Sequence, residues 1–265
     1  LSYSILSGED ASKFTLNSTT GGLSFTTAPD FESPEDNNTD NIYELSIQVS
    51  DGEANATLNV SVSVQDKYEP SKENHTIDLN ASVGLEMIWV EPGTFMMGSP
   101  ESEAGHDENE TQHQVTLTKG FYLGKYEVTQ AQYETVMTGN TDGLNATPSK
   151  YGGNPNRPVE MVSWDDIQVF LQRLNEQKSS ETQEGWAYVL PTEAQWEYAC
   201  RAGTTTAFNW GELNSTSEAN NNHNIGQTSI VGNYAPNPWG FFDISGNVWE
   251  WTRDWYGPYD PNPQI

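Results

Sequence analysis

The chain has 265 residues, with 11 lysines and arginines against 38 aspartates and glutamates. Its formal charge of −27 leaves no basic surface to neutralise phosphates, which excludes a nucleic-acid partner. One cysteine, Cys200, rules out an internal disulfide framework and a cysteine-built zinc site, and no apolar run approaches the roughly 20 residues that cross a bilayer.

The length exceeds the usual domain of about 100–200 residues, so two unequal domains are expected. Residues 1–66 read as β throughout. Leu1-Tyr3-Ile5, Leu23-Phe25, Tyr43-Leu45-Ile47-Val49 and Leu58-Val60-Val62-Val64 alternate apolar with polar residues, and Gly, Asn, Asp and Pro clusters separate them. Short alternating strands between turn signals predict a β-sandwich. The N-terminal LSYSILSGED has neither the basic nor the apolar region of a signal peptide. With Leu1 in strand-like sequence and Ile265 in a Pro-rich loop, both ends are expected to be cut. Residues 67–82, KYEPSKENHTIDLNAS, lack an apolar period and read as a linker.

Residues 83–265 mix α and β signals. MIWVEPGTFMMGS reads as a hairpin turning at Pro92-Gly93, with Met87-Trp89 and Phe95-Met97 as its arms. QVTLTKGFYLGKYEV reads as a second strand pair turning near Lys119-Gly120. Three helices are announced by their caps: Thr129 with Gln132, Ser163 with Asp166 and Thr192 with Gln195 each offer a capping oxygen and a return acceptor three residues on. Their apolar faces, Tyr133-Val136-Met137, Ile167-Phe170-Leu171-Leu174 and Trp196-Ala199-Cys200, recur at i, i+3, i+4. Gly139 and Gly203 end the first and third. From Asn209 to Asn237 the chain is dense in Asn and Gly, and so much irregular backbone needs internal hydrogen bonds or metal ions to hold it.

The stretch from Trp239 to Trp255, WGFFDISGNVWEWTRDW, spaces oxygen donors at Asp243, Ser245, Asn247 and Glu250 around a Gly246-Asn247 turn. The turn rests on the positive φ that Gly tolerates and on Asn bonding its own backbone, while Val248 to Trp251 alternates as a strand does. Hard oxygens at close spacing on a tight turn are what calcium takes, about 6–8 of them without strict geometry. The Trp residues at 164, 186, 196, 210, 239, 249, 251 and 255 are expected mainly to fill the core of a loop-rich fold. His106 and His113 flank an acidic run, a pattern that could suggest a metal site. Cys200, on the apolar side of its helix, reads as a buried small side chain.

FTLNSTTGGLSF, PDFESPED, VSDGEAN and VSVQDKYEP, in that order, resemble a cadherin-type repeat of bacterial surface proteins lacking its first strands. The resemblance implies calcium bound between repeats by acidic residues at the sandwich ends, at positions matched by Asp30, Glu32, Asp51 and Asp66. The terminal signature here is Gln65-Asp66 rather than a fuller acidic motif. Adjacent cadherin-like repeats and an extracellular location, secreted or at the cell surface, follow as expectations.

The later motifs, MIWVEPGTFMMGS, HQVTLTKGFYLGKYEVTQAQYETVM, NRPVEMVSWDDIQVFLQRLN, LPTEAQWEYACRAGT and NPWGFFDISGNVWEWTRDWYG, resemble the formylglycine-generating, or sulfatase-modifying factor, family from about Met87 to Tyr256. The resemblance implies an α+β fold of C-type-lectin-like kind, poor in regular structure and supported by calcium. By position, Asp243, Asn247 and Glu250 supply side-chain oxygens and Ser245 a backbone carbonyl. A second site begins at Ala219-Asn220-Asn221, with Asn220 and Asn221 as its ligands; the acidic residue the family adds is absent from Asn221-Asn222-His223-Asn224. The family's reaction oxidises a sulfatase cysteine to formylglycine with oxygen, through two cysteines that bind copper(I), a soft ion suited to thiolates. Those cysteines follow an RGGSW-like motif beyond the equivalent of Tyr256. Two functions are therefore open: an oxidase acting on a sulfatase or another protein substrate, or a non-catalytic, calcium-stabilised binding or adhesion module on the same fold.

Overall fold

A computed structural model describes residues 1–31, 33–65, 73–182, 184–221 and 225–259. The chain divides into two compact units, Leu1–Ser71 and Lys72–Ile265.

In the first unit β1 (Ser2–Ser7), β4 (Ile42–Ser50) and β5 (Asn55–Ser63) form an antiparallel sheet in the order β1-β4-β5, and β2 (Phe14–Leu16) pairs with β3 (Leu23–Phe25). The alternation in β4 turns Tyr43, Leu45 and Ile47 inward, where they bury with Phe14; Phe25 stacks on Phe14 at 4.5 Å between centroids. Two carboxylates with no apolar pattern to reveal them are also buried. Asp10 accepts from the backbone N–H groups of Asn37 (2.7 Å) and Glu44 (2.8 Å), and Asp36 from those of Asp40 (2.9 Å) and Asn41 (3.3 Å). Ionic acceptors thus satisfy loop backbone that no ladder reaches.

The second unit is organised on β7 (Gly84–Val90), the middle strand of a sheet ordered β10-β7-β6, with β6 (His75–Asp78) and β10 (Phe121–Gly124) on its flanks. The run Met87-Ile88-Trp89-Val90 is apolar without alternation because both faces of β7 are covered. On one side Leu85 and Ile77 meet Tyr133, Val136, Met137, Phe170 and Leu174 of α1 (Gln130–Met137) and α2 (Trp164–Gln177). On the other, Ile88 and Val90 meet Ala199 of α3 (Glu193–Arg201), Phe241 and Ile244. Leu174 is almost wholly enclosed. Leu174→Ala is expected to destabilise this unit by about 3 kcal/mol in urea denaturation, the cost of lost transfer energy plus a cavity.

All three capping boxes form as the sequence requires, at Thr129–Gln132, Ser163–Asp166 and Thr192–Gln195. Gln132 does double duty, since its Nε2 also donates to Gly84 O at 2.7 Å and ties α1 to the start of β7. Arg173 closes the other end of α1 by donating to the carbonyls of Val136 (2.9 Å) and Thr138 (3.0 Å).

The expected hairpins are corrected. β7 does not pair with β8 (Gly93–Met97), nor β9 (His113–Leu117) with β10; β8 pairs with β9, and β7 with β10. Alternation marks a strand without naming its neighbour. The expected linker is corrected too, because His75–Asp78 is a strand on β7 with Ile77 buried. Four residues carrying one large apolar side chain are too few to show a period.

Candidate functional site

Three separate stretches converge on the loop from Asp243 to Glu250. The N–H of Asn247 donates to Asn220 O at 2.8 Å. Gly246 lies so near that an added Cβ would stand 3.0 Å from Asn220 O and 3.2 Å from Ala219 Cβ. The glycine is required for that approach and not for its φ: the left-handed residues are Asp243 (57°) and Asn247 (61°), which corrects the expected turn. Val248 to Trp251 is no strand either. The Val248 N–H turns to Gly246 O (2.7 Å) and Glu127 Oε1 (3.2 Å) instead of a ladder.

The Asn247 amide holds the convergence together. Its Oδ1 accepts from Ser229 N (2.8 Å), Ser229 Oγ and Asn220 Nδ2 (both 3.2 Å), and its Nδ2 donates to Glu127 Oε2 at 2.7 Å. Asp243 Oδ2 accepts from Gly232 N at 2.5 Å, while its Oδ1 is buried with no partner. The Oδ1 of Asn221 is buried without a partner as well.

The site is short of positive charge. Burial first, then the Glu250 and Asp243 charges, push the Glu127 carboxyl well above the usual range, against the opposing N–H groups of Asn247 and Val248. Burial raises Asp243, with the Gly232 N–H opposing. Glu250 is raised to about 7 by desolvation, aided by the Asp243 charge and opposed by the Trp196 indole N–H, which has no hydrogen-bond partner within range. The Glu250 residue nevertheless keeps an exposed outer side, so solvent screening trims that shift. Among the described residues no ion pair reaches any of the three carboxylates. The donor chemistry, carboxylate and amide oxygens with Asp243 Oδ1 buried and unpaired, fits a hard divalent cation. No three His, Cys, Asp or Glu side chains among the described residues close on one point, so amide and main-chain oxygens have to complete such a set.

Of the residues singled out by sequence, Asp243, Asn247, Glu250 and Asn220 meet here, while the Asn221 amide turns to Asn214 Oδ1 and Ser215 O. Ser245 directs its Oγ at Cys200 Sγ, 3.4 Å away. Asp51 spends its Oδ1 on the N–H groups of Glu53 (2.9 Å) and Ala54 (2.7 Å), which hold its pKa down and shape the β4–β5 turn. Asp30 is exposed, and Glu32, Asp66 and Asn222–Asn224 lie outside the described residues. Glu127, Ser229 and Gly232 escaped sequence reading; a carboxylate between Tyr126 and Val128, two residues before a helix cap, was the only signal.

Cys200 behaves as its helix face implied. Burial raises its thiol to about 11, against the Ser245 hydroxyl. At pH 8 a disulfide reagent is expected to modify it about a hundredfold more slowly in the native chain than in urea, since the thiolate is the reacting form. His106 bonds Ser99 Oγ at 2.7 Å and His113 bonds Thr111 O at 2.9 Å, so the two share no ligand.

Comparison with known proteins agrees with this architecture. The model of the sulfatase-modifying factor enzyme 1-like domain matches residues 74–263. The formylglycine-generating enzyme of Mus musculus is 27% identical over 233 residues, covering 64% of this chain and 58% of that enzyme. A chaperone protein, LppX, of Paenibacillus barcinonensis is 30% identical over 226 residues, covering 67% of this chain and 74% of its own. Among solved structures, PvdO from Pseudomonas aeruginosa aligns with a TM-score of 0.60 at 27% identity, over 71% of this chain and 78% of that one. Treponema denticola variable protein 1 shares the fold at a TM-score of 0.56 and 24% identity, over 72% and 81%. With its match running from residue 74 to 263, the chain belongs to the sulfatase-modifying factor enzyme 1-like family.

Proposed function

We propose that the second unit is the calcium-braced recognition part of a sulfatase-modifying protein, which presents a sulfatase-type polypeptide for oxidation of a cysteine to formylglycine. In this reading the oxidation itself belongs to a copper-holding cysteine pair that residues 1–265 do not contain. The observation that carries the division is chemical: the single thiol is partly buried on the inner face of α3, and its pKa of about 11 keeps it protonated at neutral pH. A copper(I) site needs two accessible thiolates, so Cys200 does not fit it. Calcium is assigned to the Asp243–Glu250 loop, with Asn220 and main-chain oxygens completing a set that the carboxylates alone do not close. The unpaired Oδ1 of Asp243 supports it. The first unit is assigned as a cadherin-like spacer, and the protein as secreted or displayed at a cell surface.

The test uses the 265-residue chain with a sulfatase-derived cysteine peptide, oxygen and copper(I). Binding by isothermal titration calorimetry without any mass change of the peptide is the expected result. Conversion to formylglycine by this chain would overturn the division of roles, and absence of binding would overturn recognition. The single, partly buried thiol equally favours a second reading, a non-catalytic binding module, which predicts that chains extended at either end also leave the peptide unoxidised.

A further inference from the structure

The chain from Trp249 to Tyr256 crosses the surface of the second unit with its aromatic side chains turned out. Trp249 is 101%, Trp255 98% and Tyr256 83% exposed, and Trp251 is half exposed. The core role expected for these tryptophans is thereby corrected; only others, such as Trp196 and Trp239, pack against the interior.

The backbone under these rings is fixed. Trp251 donates its indole N–H to Val162 O at 3.2 Å, Trp164 donates its own to Thr252 O at 3.1 Å, and Arg253 N donates to Pro191 O at 2.8 Å. The Asp254 carboxylate accepts from Glu193 N at the start of α3. At the far end Tyr259 N donates to Asn109 O at 3.1 Å, which brings the strip beside the acidic loop of Asp107 and Glu108. A segment so anchored does not collapse its aromatics inward, and several large rings exposed along one short stretch mark an interaction surface.

Charge selects that ligand. Exposed Asp165 in the first turn of α2, Asp254 within the strip, and Asp107 and Glu108 at its end flank the rings, while Arg253 is the one cation between residues 239 and 259. An apolar partner would have to bury those carboxylates unpaired, at a cost that contact area does not recover. A cationic partner gains twice, because the faces of Trp and Tyr attract guanidinium and ammonium groups and the carboxylates neutralise them.

We infer that Trp249 to Tyr256 is a docking surface for a basic, arginine- or lysine-rich polypeptide segment. The inference holds whether or not the protein oxidises a cysteine, so its failure leaves the function proposed above untouched.

The test titrates the 265-residue chain with a capped peptide of alternating arginine and glycine, with its glutamine–glycine counterpart, and with a chitin oligosaccharide. Binding is followed by tryptophan fluorescence and calorimetry. The arginine peptide is expected to bind and the glutamine peptide not to. Trp249→Ala together with Trp255→Ala is expected to weaken binding about tenfold while the melting temperature holds, since neither ring packs in the fold. Full affinity in the double variant would mean that the acidic coat alone attracts the peptide, and the inference would fall. So would binding of the oligosaccharide without the arginine peptide, which would make the strip a carbohydrate surface, and so would no binding at all.

Discussion

Asn247→Ala is expected to lower the stability of the family domain by about 3–5 kcal/mol. The substitution strips the acceptor from Ser229 N, the donor from Glu127 Oε2 and the link to Asn220 Nδ2 together. Each buried group left unpaired costs about 1–3 kcal/mol, and Glu127, already burdened by its acidic neighbours, loses one of the two N–H groups that ease its charge. A further penalty of about 1 kcal/mol comes from the left-handed backbone, which Asn adopts more readily than Ala. For a domain of this size the melting temperature should fall by roughly 10 °C. Urea denaturation monitored at both tryptophan emission and far-UV circular dichroism measures it. A loss below about 1 kcal/mol would show that the three stretches are held by packing rather than by this amide.

Millimolar calcium is expected to raise the melting temperature at pH 7.5 and to matter little at pH 5. The direction follows from the raised carboxyls of Glu127, Asp243 and Glu250. A carboxyl whose folded pKa lies above its unfolded value binds its proton more tightly in the native state. The penalty of ionising it is absent below the unfolded pKa, near 4.5 for Glu250, and complete above the folded one, about 7. Without a cation, then, the domain gains stability as pH falls from 7.5 towards 5. After discounting for the exposed side of Glu250, that residue's share is on the order of 1 kcal/mol. A divalent cation favours the ionised forms and removes the penalty where it is greatest, and its binding stabilises the native state by mass action. Glu250→Gln should flatten the pH profile and reduce the calcium gain. Scanning calorimetry with chelator and with calcium at both pH values decides the matter; identical transitions at pH 7.5 would remove calcium from this site.

The helices were legible because their signals are local. Each N-cap oxygen and its return acceptor lie three residues apart, so Thr129–Gln132, Ser163–Asp166 and Thr192–Gln195 specify their own termini whatever surrounds them. Strand existence was legible from alternation in the same way, in β4 and in β9. Which strands pair was not. The hairpins expected at Pro92-Gly93 and Lys119-Gly120 are geometrically available, but β7 must present apolar faces to α1 and α2 on one side and to α3 on the other. The observed β10-β7-β6 order places β7 in the middle of its sheet with both faces covered, and no local pattern in the chain encodes that choice of edge partner.

The candidate site divides along the same line. By itself the sequence determined that oxygen donors crowd the Asp243–Glu250 loop, that a turn lies at Asn247, and that Cys200 faces inward, because each depends on residue type and short spacing. The tertiary structure alone decided that Glu127, which lies 120 residues from Asn247 in the chain, is the acid Asn247 binds, and that Asn220 closes on Gly246. It also decided that Trp249 and Trp255 stand in solvent. Those outcomes depend on which distant segments meet, and hydrogen-bond partners and burial are properties of that meeting rather than of any window of the chain.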